Sequence, residues 1–168
     1  PLFPPEVAAR YAAATGVVPQ IERGEGKVSQ LPQWFADRFG WREFVADVET
    51  AARRLTPEER SKAVIVVPSY GHAGALELFG GPGLPPVLSP QNTCYLWGLS
   101  VLSDRTVEGG IAVGLDPNDL RRFFSEVELI GVHRCSYCMP WRAKMSIYRV
   151  WGPKERLLDV WARLKHYE

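Results

Sequence analysis

The chain has 168 residues, 46% hydrophobic and 23% charged, proportions of a folded globular unit that leave disordered, collagen-like and coiled-coil architectures without support. Its 20 Lys and Arg against 19 Asp and Glu give a formal net charge of +1, too small to hold a phosphate backbone, so nucleic acid is not an expected partner. No apolar run approaches the roughly 20 residues that span a bilayer and no signal-peptide pattern opens the sequence, so residues 1–168 are expected to form a single soluble domain.

In chain order, Pro1-Leu2-Phe3-Pro4-Pro5 reads as a stiff connector, as if cut from a longer protein. The alanine-rich stretch Glu6 to Ala14 predicts a short helix that starts where proline's missing N–H is harmless. Thr15 to Pro32 has no period and is expected to be a long loop. From Trp41, apolar positions Phe44, Val45, Val48, Ala52 and Leu55 recur at helical steps, while Arg42, Glu43, Asp47 and Glu49 fall elsewhere on the helix. Thr56-Pro57-Glu58-Glu59 is a capping box opening a helical turn. The β-branched run Ala63 to Val67 follows, a strand of the kind buried on both faces.

The same order of apolar run, loop and capped helix returns in Ile111 to Gly114 with Asp116-Pro117 and a helix over Leu120 to Phe124. It returns again in Ser146 to Val150 with Gly152-Pro153 and a helix lined by Leu157, Leu158, Trp161 and Leu164. Val127 to Val132 adds a further strand. Strands alternating with helices predict an α/β layered sandwich with a largely parallel central sheet flanked by helices.

The segment Pro68 to Ala75 directly follows the first strand, where open α/β sheets place ligands, and is the leading candidate site. Gly71 and Gly74 allow close backbone approach to an anion or a sugar hydroxyl, or serve a tight turn alone; Gly-His-Ala-Gly matches neither the dinucleotide fingerprint nor a phosphate loop. His72 has the pKa of a proton carrier but no partner legible in sequence, which favours a capping or solvent-facing histidine. His72, His133 and His166 are the only histidines and never stand at metal-ligand spacing, so no metal site and no cofactor are expected.

Cys135 and Cys138 have the spacing of a redox dithiol, but Met139-Pro140-Trp141 follows instead of a helix. The pair is either a local disulfide outside the cytoplasm or two free thiols, with a thiol-disulfide oxidoreductase as the enzymatic alternative. Trp97 and Trp141 fall in expected loops beside Tyr95 and Tyr137, and each suits either core filling or stacking on a sugar. Ser89 to Thr93 adds short polar side chains that suit hydroxyl recognition or turn capping.

Five segments taken together resemble the C-terminal soluble part of bacterial family-39, dolichyl-phosphate-mannose-protein mannosyltransferase-like membrane glycosyltransferases. They are Leu31 to Trp41, Tyr70 to Ala75, Asn92 to Gly98, Tyr137 to Pro140 and Arg163 to Tyr167, in that order over nearly the whole chain. The resemblance implies a parent that moves a sugar from a polyprenyl-phosphate donor on the extracytoplasmic side, with its catalytic acidic residues in the membrane portion. This chain would then be a periplasmic or extracellular module with no catalytic residue of its own, partnered by its own upstream membrane domain and by a glycan or lipid-linked sugar. Its expected contact residues are Tyr70, Gly71, His72, Gly74, Asn92, Trp97, Tyr137 and Trp141. A module that only packs on the membrane domain is the structural alternative. Two positions depart from the family pattern: His72 stands where an acidic residue is expected, and Cys94 where a small polar one is.

Overall fold

The computed structural model describes residues 3–16 and 29–167. Residues 17–28, most of the expected long loop, and the first two residues of the expected connector lie outside that range. Pro4 and Pro5 serve as helix start: Pro4 is the N-cap and Pro5 the first residue of α1 (Pro5–Thr15). A four-residue turn, α2 (Gln33–Ala36), leads to the amphipathic α3 (Trp41–Ala52), which buries Phe44, Val45, Val48, Ala51 and Ala52. The capping box forms at α4 (Pro57–Lys62): the Thr56 hydroxyl accepts from Glu59 N–H and the Glu59 carboxylate accepts from Thr56 N–H.

Next come β1 (Ala63–Val66), α5 (Tyr70–Phe79), the two-residue β2 (Val87–Leu88) and α6 (Cys94–Asp104). The remainder is β3 (Gly109–Val113), α7 (Pro117–Phe123), β4 (Phe124–Arg134), β5 (Lys144–Pro153) and α8 (Leu157–Leu164). The strands join in one sheet of order β2-β1-β3-β5-β4. At its centre β1 lies parallel to both β2 and β3, and the β4–β5 hairpin joins β3 antiparallel through β5.

The fold is α/β, with helices over both faces of this mixed sheet. Alternation along β1 explains why its run is continuously apolar. Ala63, Ile65 and Val67 pack with Ile111, Val113 and Ile147 beneath α3 and α5, whereas Val64 and Val66 meet Leu102 of α6 and Val160 and Trp161 of α8. Ala112 and Val150 face Leu120 of α7 and Phe124. Each Val, Ile or Leu taken out of water here contributes about 1.5–3 kcal/mol, so the parallel strands form the rigid part of the molecule.

The outer strand β4 exposes Glu126 and Glu128, charges that discourage pairing with another chain. On the opposite side Trp161 is fully buried, donates its indole N–H to Tyr95 O at 3.0 Å, and lies where a Cβ on Gly98 would come within 2.9 Å of its ring. That glycine sets how closely α6 approaches α8. Among the described residues no helix is long and apolar enough to cross a membrane.

Candidate functional site

The three parallel strands end on the same side, and each is followed by a residue lining one cleft. After β1 come Pro68, Ser69 and Tyr70, after β2 comes Gln91, and after β3 comes Gly114; with Gln33, Asp37, Trp41, Trp141, Arg142 and Met145 they enclose about 920 Å³. This is the strand-end position at which open α/β sheets hold ligands, in the size range of small-molecule sites. A second groove of about 870 Å³ lies on the other side of Tyr70, between α5 and α6, lined in part by Gly74, Asn92, Cys94, Trp97 and Val101.

The expected contact residues therefore divide. Tyr70, 51% exposed, is shared by both hollows; Gly71, His72 and Trp141 belong to the first, and Gly74, Asn92 and Trp97 to the second. Tyr137 lines neither, and instead packs half-buried against the Leu31, Phe35, Ala36 and Met139 cluster. Tyr95 and Trp97 are helical, correcting the expected loop. Tyr95 points into the core, whereas Trp97 stays 69% exposed. The segment from Tyr70 onward is likewise the first turns of α5 and not a free loop, with Tyr70 N–H donating to the side-chain oxygen of Gln91 at 3.1 Å.

His72 is neither solvent-facing nor a helix cap. It is 4% exposed, its Nδ1 lies 2.6 Å from Ser69 Oγ, and its ring meets Trp41 and Phe44 edge-on at 5.5 and 5.1 Å. Burial, then the Arg142 guanidinium and His133, push its pKa down from 6.5 to about 4. At neutral pH the ring is uncharged and does not act as a general acid through an imidazolium. Among the described residues, nothing hydrogen-bonds its Nε2.

The far wall depends on residues that sequence reasoning missed. Arg142, 4% exposed, lays its guanidinium over the Trp41 ring at 3.9 Å and donates to Phe39 O at 3.1 Å and Ala36 O at 3.4 Å. It also reaches Asp37 Oδ1 at 3.4 Å, and the Trp41 indole N–H donates to Asp37 O at 2.6 Å. Burial lowers the Arg142 pKa while Asp37 opposes the shift. The stacked cation, worth up to about 2 kcal/mol when desolvated, and its three acceptors offset the cost of burying the charge.

Cys135 and Cys138 are joined as a disulfide, Cα atoms 5.6 Å apart, in the connection between β4 and β5. No helix follows them in the chain, but the fold brings one from elsewhere: both sulfurs abut Gly40, the N-cap of α3. Cys94 is a buried free thiol whose pKa burial pushes up. Among the described residues no group of three or more His, Cys, Asp or Glu side chains is placed to hold a metal ion. No family model, curated protein or solved structure matches this chain.

Proposed function

We propose that this chain is the extracytoplasmic module of a polyprenyl-phosphate-sugar-dependent membrane glycosyltransferase of the family-39 type, and that its strand-end cleft holds or positions a saccharide while bond making occurs in the membrane portion. One observation carries the reading: the first two segments that bear the resemblance, apart in sequence, line one cleft at the strand ends together with the residues directly after the fourth. Gln33, Asp37 and Trp41 come from the first, Tyr70, Gly71 and His72 from the second, and Trp141 and Arg142 directly follow the fourth. The third and fifth meet each other, Asn92 N–H donating to His166 O at 3.1 Å.

The chemistry of the lining agrees with a sugar ring. Tyr70 and Trp141 offer partly exposed aromatic faces, and Gln33, Ser69 and Gln91 bring amide and hydroxyl groups. Among the described residues the one carboxylate lining the cleft, Asp37, is engaged by Arg142, so the paired carboxylates of glycoside chemistry are not assembled among them. Binding and positioning are the roles this set can perform.

The test is an amide-resonance titration of the chain with methyl α-mannoside and with a short-chain polyprenyl-phosphate mannose. Shifts confined to residues 68–75, 91–97 and 141–142 support the reading. No shift with either probe, the outcome expected of a module that only packs on a membrane domain, overturns it, as does sugar or thiol turnover by the chain alone.

A further inference from the structure

The cleft's far wall is fastened differently from the strand ends. The β4–β5 ladder stops at Arg134 and Lys144, and beyond it the connection keeps turn hydrogen bonds such as Cys135 N–H to Ala143 O at 3.0 Å and Arg142 N–H to Met139 O at 2.8 Å. Its attachment to the α2–α3 segment runs through buried Met139, the Arg142 guanidinium and the disulfide. The disulfide is seated on Gly40, whose φ of +81° is left-handed. A Cβ there would come within 2.6 Å of Cys135 Sγ and closer still to Cys138 Sγ, so the pair occupies the space a side chain would need. Gly40 precedes Trp41, the residue on which Arg142 stacks.

We propose that the Cys135–Cys138 disulfide is a reversible redox control on the Trp41–Arg142 wall, and through it on occupancy of the cleft; the second half rests on the cleft being the saccharide site. Reduction by a dithiol is a balanced exchange: the Sγ–Sγ bond breaks, each cysteine sulfur takes one proton, and the dithiol's own sulfurs join in a disulfide. The two sulfurs, about 2 Å apart when bonded, then separate to at least the ~3.5 Å of a non-bonded contact. Gly40 leaves no room for that on its own face. Cys138 is buried beside Met139, so the partly exposed Cys135 is the one that swings out, taking the turn off Gly40. The change reaches Trp41 through Gly40, its neighbour in the chain, and Arg142 through Phe39 O, which lies 3.2 Å from Cys138 Sγ and accepts from the guanidinium at 3.1 Å.

The effect is local. A bridge between residues three apart in sequence constrains little of the unfolded chain, and neither cysteine belongs to the main core.

The experiment follows two indole N–H resonances of the full chain, oxidised and in excess dithiol. Trp41 reports the wall through its bond to Asp37 O, and Trp161 reports the body of the fold through its bond to Tyr95 O. The expected result is a shifted Trp41 resonance whose hydrogen exchange rises about tenfold or more, with Trp161 unmoved. Re-oxidation restores the first spectrum, and the C135S/C138S double variant reproduces the reduced one without reductant. An unmoved Trp41 overturns the proposal. So does a joint change of Trp41 and Trp161, because the bond would then serve the whole fold.

Affinity for methyl α-mannoside, measured in both states, separates the two readings. Weakening by about fivefold or more on reduction supports the control, and equal affinity overturns it while leaving the saccharide reading intact. A moving Trp41 with no binding in either state sinks the saccharide reading and leaves the control of the wall standing.

Discussion

Acidification is expected to destabilise the protein through His72. The unfolded imidazole takes up its proton near pH 6.5, whereas the buried ring waits until about pH 4. Between those values the unfolded chain binds a proton that the folded chain refuses, so stability present above pH 6.5 falls by about 1.4 kcal/mol per pH unit as pH drops. Summed over the window the loss is about 3 kcal/mol, a large part of the 5–15 kcal/mol typical of a domain's margin. The groups responsible are named by the packing: Trp41 and Phe44 exclude water from the ring, Ser69 holds Nδ1, and Arg142 and His133 add positive potential.

Urea unfolding at pH 7.5 and pH 4.5, for the wild type and for His72→Asn, isolates the contribution of this ring, because carboxylates that titrate in the same range do so in both proteins. The wild type should lose about 2–3 kcal/mol more than the variant between the two conditions. A ring titration followed by NMR gives the site directly. A His72 midpoint above about pH 6, or equal pH dependence of the two proteins, would refute the claim that burial keeps this ring neutral.

Three substitutions test the surrounding framework. Gly98→Ala drives a methyl group into the Trp161 ring and should cost about 1–3 kcal/mol in chemical unfolding. Thr56→Ala removes the Oγ1 that accepts from Glu59 N–H at 3.1 Å and should lower stability by about 1 kcal/mol. Trp97→Ala, at a side chain 69% exposed, should leave the unfolding free energy within about 0.5 kcal/mol of wild type. If the groove between α5 and α6 also receives ligand, its effect appears in the amide titration instead.

What the sequence disclosed was what short-range physics decides. The run Ala63 to Val66, the capping box at Thr56 and the spaced apolar face of α3 each carry their signal within a dozen residues, and each forms. The helical state of Tyr95 and Trp97 was hidden because α6 is apolar nearly all round and interrupted by Gly98; its place is decided by packing on Trp161, some sixty residues later. Gly71 and Gly74 read as loop residues for the same reason, yet α5 runs through both. The far wall was the least legible part. Arg142 and Trp41 stand a hundred residues apart, and no periodicity announces a guanidinium laid on an indole. The burial of His72 is equally invisible in its own segment, since the aromatic rings that cover it come from α3.

The two sides of the cleft consequently answer to different forces. Pro68, Ser69, Gln91 and Gly114 follow strands whose residues belong to the main core, so displacing them means disturbing the sheet. On the opposing wall Trp41 opens α3 and packs against the main core, whereas the Arg142 side rests on the small cluster of Leu31, Phe35, Ala36 and Met139, on a helix of four residues that is too short to persist alone, and on one buried cation. A wall held by few apolar contacts opens at lower free energy than the sheet beneath it. Adjustment of the cleft is therefore expected first on the Arg142 side of this wall, ahead of Ile65 or Ile111, which are fully buried in the sheet. The covalent bridge lies in the connection that joins this wall to β4 and β5.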